Sequence, residues 1–308
     1  SKNVGSNKTV SVGTLALADG SNGGLAANYT LSGGTHQLTV NQRPLNATLS
    51  RQYDGTTTSA GSDLSSFDAL QGGETLTLSG SGTSASANVA NGIAMSSNGN
   101  LALVDGTGLA SNYSLNSTVI NITERVLNSS GSKIYDANTD ALAADITLSN
   151  LVSGEALNHS GTATISSANA GSYTITNLAG ITIADGSGGT ASNYTLTGGT
   201  HNFTVNPKVV SIQGNKTYDG NTTISSGDIT SITDTVGAET LVISSGSGTV
   251  SSANAATYAS AGINEGTLTL GNGTNGGLAS NYTLTGHAAS SFQVAQRLSL
   301  IHISEPTR

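Results

Sequence analysis

The most constraining feature of this chain is a repeat with a period of about 80 residues. The stretches RQYDGTTT, KIYDANTD and KTYDGNTT place tyrosines at Tyr53, Tyr135 and Tyr218, spacings of 82 and 83. A second anchor reads GGLAANYTL, TGLASNYSL, GTASNYTL and GGLASNYTL, and places Asn28-Tyr29, Asn112-Tyr113, Asn193-Tyr194 and Asn281-Tyr282. Glu74, Glu155 and Glu239 recur in GGETLTL, SGEALNH and GAETLVI, and Arg43, Arg125, Lys208 and Arg297 mark the junctions. All nine tyrosines fall on recurring positions, with Tyr173 and Tyr258 as the remaining matched pair. Chance composition would not sort the rare side chains in this way.

A unit of about 80 residues can bury a small core of its own and is longer than most solenoid repeats of roughly 20–50 residues. The register divides the chain into a partial C-terminal part of a unit at 1–44, three fuller units at 45–125, 126–208 and 209–297, and a tail at 298–308. Short runs within a unit alternate Thr with aliphatic residues, as in Thr75–Leu78, Tyr173–Ile175, Ile181–Ile183, Phe203–Val205 and Thr267–Leu270. Clusters of Gly, Asn, Asp and Ser separate them, and no segment sustains a helical period over three turns. The expected fold class is all-β: an elongated tandem array of small β-sandwich-like or β-grasp-like modules. A continuous β-solenoid is the structural alternative.

Composition narrows the function. Only 9% of residues are charged, against about a quarter in ordinary soluble domains, so the surface must be polar without being ionic. A net charge of −8 leaves nothing to neutralise phosphates in series, which disfavours nucleic acid as a partner. The absence of Cys excludes disulfides, thiolate metal sites and cysteine nucleophiles. No apolar run is long enough for a membrane-spanning helix, and an export signal is expected outside the sequence given. The tail, LSLIHISEPTR, breaks the composition and matches the translation of a transposase-type sequencing adapter at all eleven residues, so it is set aside.

At Tyr53-Asp54-Gly55 and Tyr218-Asp219-Gly220 an Asp before Gly suits a turn, the carboxylate capping backbone N–H groups and Gly supplying positive φ. In Tyr135-Asp136 the Gly is replaced by Ala137. The tyrosine is expected to bury its ring and send its hydroxyl to a polar partner. Asp19, Asp105 and Asp185 lie on Gly-rich loops before the Asn-Tyr anchor, with Asn272 in the last unit. Turn chemistry is expected there, and calcium is the one cofactor such oxygen-rich loops would take. His36, His201 and His287, one per unit, are expected at exposed strand positions. Fourteen N-x-[ST] sequons occur, and a structural role is expected for the four asparagines of the Asn-Tyr anchor. No catalytic motif is present, and a repeated cluster is a poor candidate for an active site, which a chain normally builds once.

With these anchors in hand, the sequence resembles the YDG-type repeat regions of bacterial filamentous-haemagglutinin-like, two-partner-secreted surface adhesins. The matching residues are [KR]-x-Tyr-Asp-Gly-[TN]-Thr at each unit start, NVGSNKTVSV at Asn3–Val12, and the Asn-Tyr element. The resemblance implies an extracellular location at a bacterial surface, of Gram-negative outer-membrane type. It implies a non-enzymatic stalk that projects a distal binding region. The partners it implies are neighbouring modules of the same chain and, in the alternative reading, host or cell-surface glycans bound by the modules themselves.

Overall fold

The computed structural model describes residues 1–299, and within them the chain is all-β, with only three-residue 3-10 turns besides strands. The tail beyond residue 299 lies outside the described residues. Two compact units are present. The first comprises Ser1–Arg125 with Ser192–Thr195, and the second comprises Val126–Ala191 with the chain from Leu196 onward.

In each fuller repeat the first strand pairs in parallel with the last. Arg43–Gln52 lies beside Tyr113–Thr123, Asn128–Ile134 beside His201–Asn206, and Ser211–Thr217 beside Ser291–Ala295. Leu64–Phe67, Ile146–Ser149 and Ile229–Thr233 flank the first strand antiparallel. Ala90–Ser97, Gly171–Asn177 and Ala256–Ala259 flank the last. A parallel pair needs a long crossover, and here the whole body of the repeat supplies it. Each repeat therefore closes on itself instead of passing one rung to the next, as tandem β modules do and a solenoid does not.

Period-two alternation decides which face is inside. Along Arg43–Gln52, Leu45, Ala47 and Leu49 are buried; along Tyr113–Thr123, so are Thr118, Ile120 and Ile122. Phe203 and Val205, then Phe292 and Val294, repeat the pattern at the closing strands of the later repeats. Each such side chain contributes roughly 1.5–3 kcal/mol when removed from water. The buried residues of the second and third repeats join in one cluster that runs from Tyr135 to Val294, to which each repeat gives one Phe, Phe203 and Phe292. The alternating run at Thr267–Leu270 forms a strand only from Thr269, because the Leu268 N–H is taken by a turn bond to the Glu265 carbonyl.

A glycine recurs at the corner where one strand leaves one sheet for another: Gly80, Gly161 and Gly246, with φ of 79°, 104° and 90°. At each, a Cβ would overlap a backbone carbonyl of the opposing turn, Asn100, Gly180 or Thr267 in order.

Candidate functional site

The repeated residues assemble into two devices, a cation-clamped turn and a joint that carries one repeat onto another. The turn is built on the Tyr-Asp element. The parallel ladder fixes its start, because the N–H groups of Tyr53, Tyr135 and Tyr218 donate to the carbonyls of Thr123, Asn206 and Ala295 at 2.8–2.9 Å. Asp54, Asp136 and Asp219 each accept the N–H two residues on, at 2.9, 3.1 and 3.0 Å. The cation three residues earlier closes the loop: Arg51 pairs with Asp54, Lys133 with Asp136 at 2.8 Å, and Lys216 with Asp219 at 3.1 Å. Lys216 also donates to the Asn221 and Thr223 carbonyls at 2.8 Å, which saturates its ammonium. Burial acts against the Asp54 and Asp136 carboxylates, but the N–H, side-chain and cation partners overcome it and hold both below their ordinary value. Asp219 is held down by the Asn221 N–H first and by Lys216 next.

The turn demands a left-handed residue after Asp, and Gly55 and Gly220 supply it at φ 77° and 82°. Ala137 is forced into the same region at φ 64°, where a Cβ costs about 1–2 kcal/mol. Ala137→Gly is expected to raise the urea midpoint of the chain, with a gain of about 0.5–1 kcal/mol after the flexibility that Gly adds to the unfolded state.

The Asp residues on the Gly-rich loops serve the Asn-Tyr anchor. Asp19, Asp105 and Asp185 accept the N–H of Ala26, Ala110 and Ala191 at 2.7, 2.6 and 2.7 Å, and Asn272 does the same for Ala279 at 2.8 Å. Each of these N–H groups opens a 3-10 turn that ends in the anchor asparagine. Among the described residues, no three acidic or histidine side chains come together as a metal-ion cluster.

Three of the four anchor asparagines, Asn112, Asn193 and Asn281, make the joint. Asn112 accepts the Val4 N–H at 2.9 Å and donates to the Asn3 side chain at 3.1 Å. Asn193 treats Val89 and Asn88 identically at 2.9 and 3.0 Å, and Asn281 treats Ala170 and Asn169 at 2.8 and 3.0 Å. Each bond spans 104 to 112 residues, so the partner loop lies in the preceding repeat. The neighbouring tyrosine completes the contact. Tyr194 meets Tyr53 edge to face with ring centroids 5.4 Å apart, and Tyr282 meets Tyr135 at 5.3 Å. In the second unit Glu239 accepts both hydroxyls, from Tyr135 at 2.7 Å and Tyr282 at 2.6 Å. Tyr113 donates to Glu74 at 2.6 Å in the same manner.

Burial and then the Glu239 bond push the Tyr135 and Tyr282 phenols from 10 up to about 12. The folded state therefore keeps protons that the unfolded chain loses above pH 10. The stabilisation is complete below pH 10 and is lost as pH rises from 10 towards 12. Unfolding followed by urea at pH 9, 10.5 and 11.5 is expected to show falling midpoints over that window.

The sequence-based expectations meet mixed outcomes. Tyr53 and Tyr135 bury their rings, at 5% and 4% exposure, whereas Tyr218 stands 42% exposed. The histidines are not exposed strand residues. His201 is buried, with Nε2 on the Leu196 carbonyl at 2.8 Å and Nδ1 on Ser129 at 2.9 Å. His36 repeats the first of these bonds to Leu31 at 2.8 Å, and the His287 side chain is buried beside Glu265. The imidazole turns inward because it ties the carbonyl of the preceding turn. The sequence marks the recurrent glutamates without giving them a role; their spacings of 81 and 84, close to the 82 and 83 of the tyrosines, are the available signal.

This architecture has a family. The YDG domain matches residues 35–120 and 123–202, more than half of the chain. The chain belongs to the YDG-domain family. No curated protein and no solved structure matches it. The third repeat lies outside the matched spans, yet it carries the same Tyr-Asp turn, Glu and Asn-Tyr anchor and the same parallel closing pair.

Proposed function

We propose that this chain is a stalk segment of a large secreted or surface-anchored bacterial adhesin, lying on the outer face of a Gram-negative cell and holding a distal binding region away from it. The observation that carries this reading is the joint. The same Asn and Tyr pair engages the same loop and the same tyrosine of the preceding repeat, at Asn193-Tyr194 and again at Asn281-Tyr282. A joint repeated with constant chemistry suits a spacer whose successive modules take one fixed relation. A catalytic role is not part of the proposal: the polar clusters recur with the repeat and are consumed by backbone and neighbouring side chains. No helix among the described residues is long and apolar enough to cross a membrane. The reading needs no cofactor.

The second reading, modules that bind host glycans themselves, draws on the exposed Tyr29 and Tyr218, since aromatic faces and amide groups are what sugars meet. A glycan array probed with the whole chain separates the two. The stalk reading expects no sugar retained above background, and saturable binding abolished by Tyr218→Ala would replace it with the second.

A further inference from the structure

The third repeat ends in an acceptor face with no occupant among the described residues. An occupied face has two parts: a Ser-x-Asn loop that offers an amide oxygen and the following N–H, and a Tyr-Asp tyrosine that offers its ring. Asn88-Val89 with Tyr53 is one such face, and Asn169-Ala170 with Tyr135 is another. Asn254-Ala255 with Tyr218 is the third copy. Val89 and Ala170 are half-buried, whereas Ala255 is exposed, and the Asn254 side chain and Ala255 N–H meet no partner among the described residues. Tyr218, Asn254, Ala255, Gln296 and Arg297, with Leu298 and Ser299 at the start of the tail, line an open depression of about 580 Å³ there.

The open loop already holds the shape of the occupied ones. The Asn254 N–H donates to Ser252 at 3.2 Å, as that of Asn169 does to Ser167 at 3.2 Å. Tyr258 donates to the Asn254 carbonyl at 2.7 Å, as Tyr173 does to that of Asn169 at 2.8 Å. A preformed loop loses little freedom on docking, so its ordering does not oppose the contact. At the joint of Asn112, which Asn3 and Val4 engage, the tyrosine part alone is open. Among the described residues no Tyr-Asp tyrosine meets Tyr113, and Lys2, Val4, Arg43, Gln71, Glu74 and Tyr113 border a depression of about 400 Å³, with Lys2 3.7 Å from Glu74.

We propose that Tyr218, Asn254 and the Ala255 N–H form a docking site for a further YDG module joined after Arg297, which would insert its own Asn-Tyr pair and set its repeat glutamate on the Tyr218 hydroxyl. The proposal rests on the reading of the repeats as stalk modules, and it fixes how the array continues. The test is a chain in which residues 298–308 are replaced by a second copy of residues 126–208, so that Val126 follows Arg297 as it follows Arg125. Nitration by tetranitromethane, mapped by mass spectrometry, reads each tyrosine, and hydrogen exchange reads the Ala255 amide. Docking predicts at least tenfold slower nitration of Tyr218 and tenfold slower exchange at Ala255 than in the original chain. Both rates should return to the original values when the added copy carries Asn193→Ala and Tyr194→Ala. Tyr53 and Tyr282, buried and outside the duplicated segment, should stay protected in every chain and report that the repeats remain folded. Equal Tyr218 rates with and without the added module would overturn the proposal, as would protection that grows with protein concentration, the mark of pairing between chains. Either failure would leave the joints at Asn193 and Asn281 standing, so it is distinguishable from failure of the stalk reading itself.

Discussion

Glu239→Ala is expected to cost the second unit about 2–4 kcal/mol, the largest loss from any single polar side chain in the chain. Its carboxylate accepts two phenols at 2.7 and 2.6 Å, from tyrosines whose rings are already locked edge to face. Hydrogen bonds to a charged acceptor contribute about 1.5–3 kcal/mol each, and the two share one acceptor, so their sum is an upper bound. Removing the carboxylate also leaves two buried hydroxyls to find water. Glu239→Gln retains one acceptor oxygen and should cost about half as much. It should also draw the alkaline loss of stability back towards pH 10, because the carboxylate is part of what raises both phenols. Urea unfolding followed by tyrosine fluorescence checks both variants. A double-mutant cycle with Tyr135→Phe should return a coupling of about 1–2 kcal/mol. A loss below 0.5 kcal/mol for Glu239→Ala would remove the joint from the energetics of the fold.

Gly161→Ala is expected to be at least as damaging, about 3 kcal/mol or more. Two independent obstacles meet at this position. Its φ of 104° is a conformation that L side chains rarely adopt, and an added Cβ would overlap the Gly180 carbonyl. Neither neighbour is the end of a flexible side chain, so relief requires backbone movement at the corner joining Leu157–Ile165 to Ile181–Asp185. Gly227→Ala is the matched control, since a Cβ there meets nothing within 4 Å, and it should change stability by less than about 0.5 kcal/mol. Thermal unfolding of the two variants side by side separates the corner from a general cost of losing glycine.

Much of this fold is legible in the sequence because its rarest residues are spent on geometry. Tyr, Asp and the basic residues recur on one stride, and the Asp-capped turn they imply is what the structure contains; the clamp by Arg51, Lys133 and Lys216 is what the structure adds. Strand parity is also legible wherever Thr alternates with aliphatics. The joint is not, for a physical reason. A repeat pattern is the same in every copy, so it cannot say which copy's Glu a tyrosine meets. Tyr135 bonds Glu239, 104 residues on, and not a residue of its own neighbourhood. The inward turn of His201 is hidden for a related reason, since its partners are a main-chain carbonyl and Ser129, which no periodicity marks. Tyr218 shows the converse: it sits in the same Tyr-Asp motif as Tyr53 and Tyr135, yet its ring is exposed, because no Asn-Tyr tyrosine packs on it among the described residues as Tyr194 and Tyr282 pack on the other two.

The proposed spacer role requires an extended array, and small-angle X-ray scattering on residues 1–297 tests it most directly. At roughly 30–40 Å per repeat, from strands rising about 3.3 Å per residue with turns added, the array should extend to about 120 Å with a radius of gyration near 35 Å. A compact globule of this length would give about 19 Å and a symmetric distance distribution. A skewed distribution with the larger radius, unchanged between low and physiological salt as a weakly charged surface implies, is the predicted result; a radius near 19 Å would contradict the account.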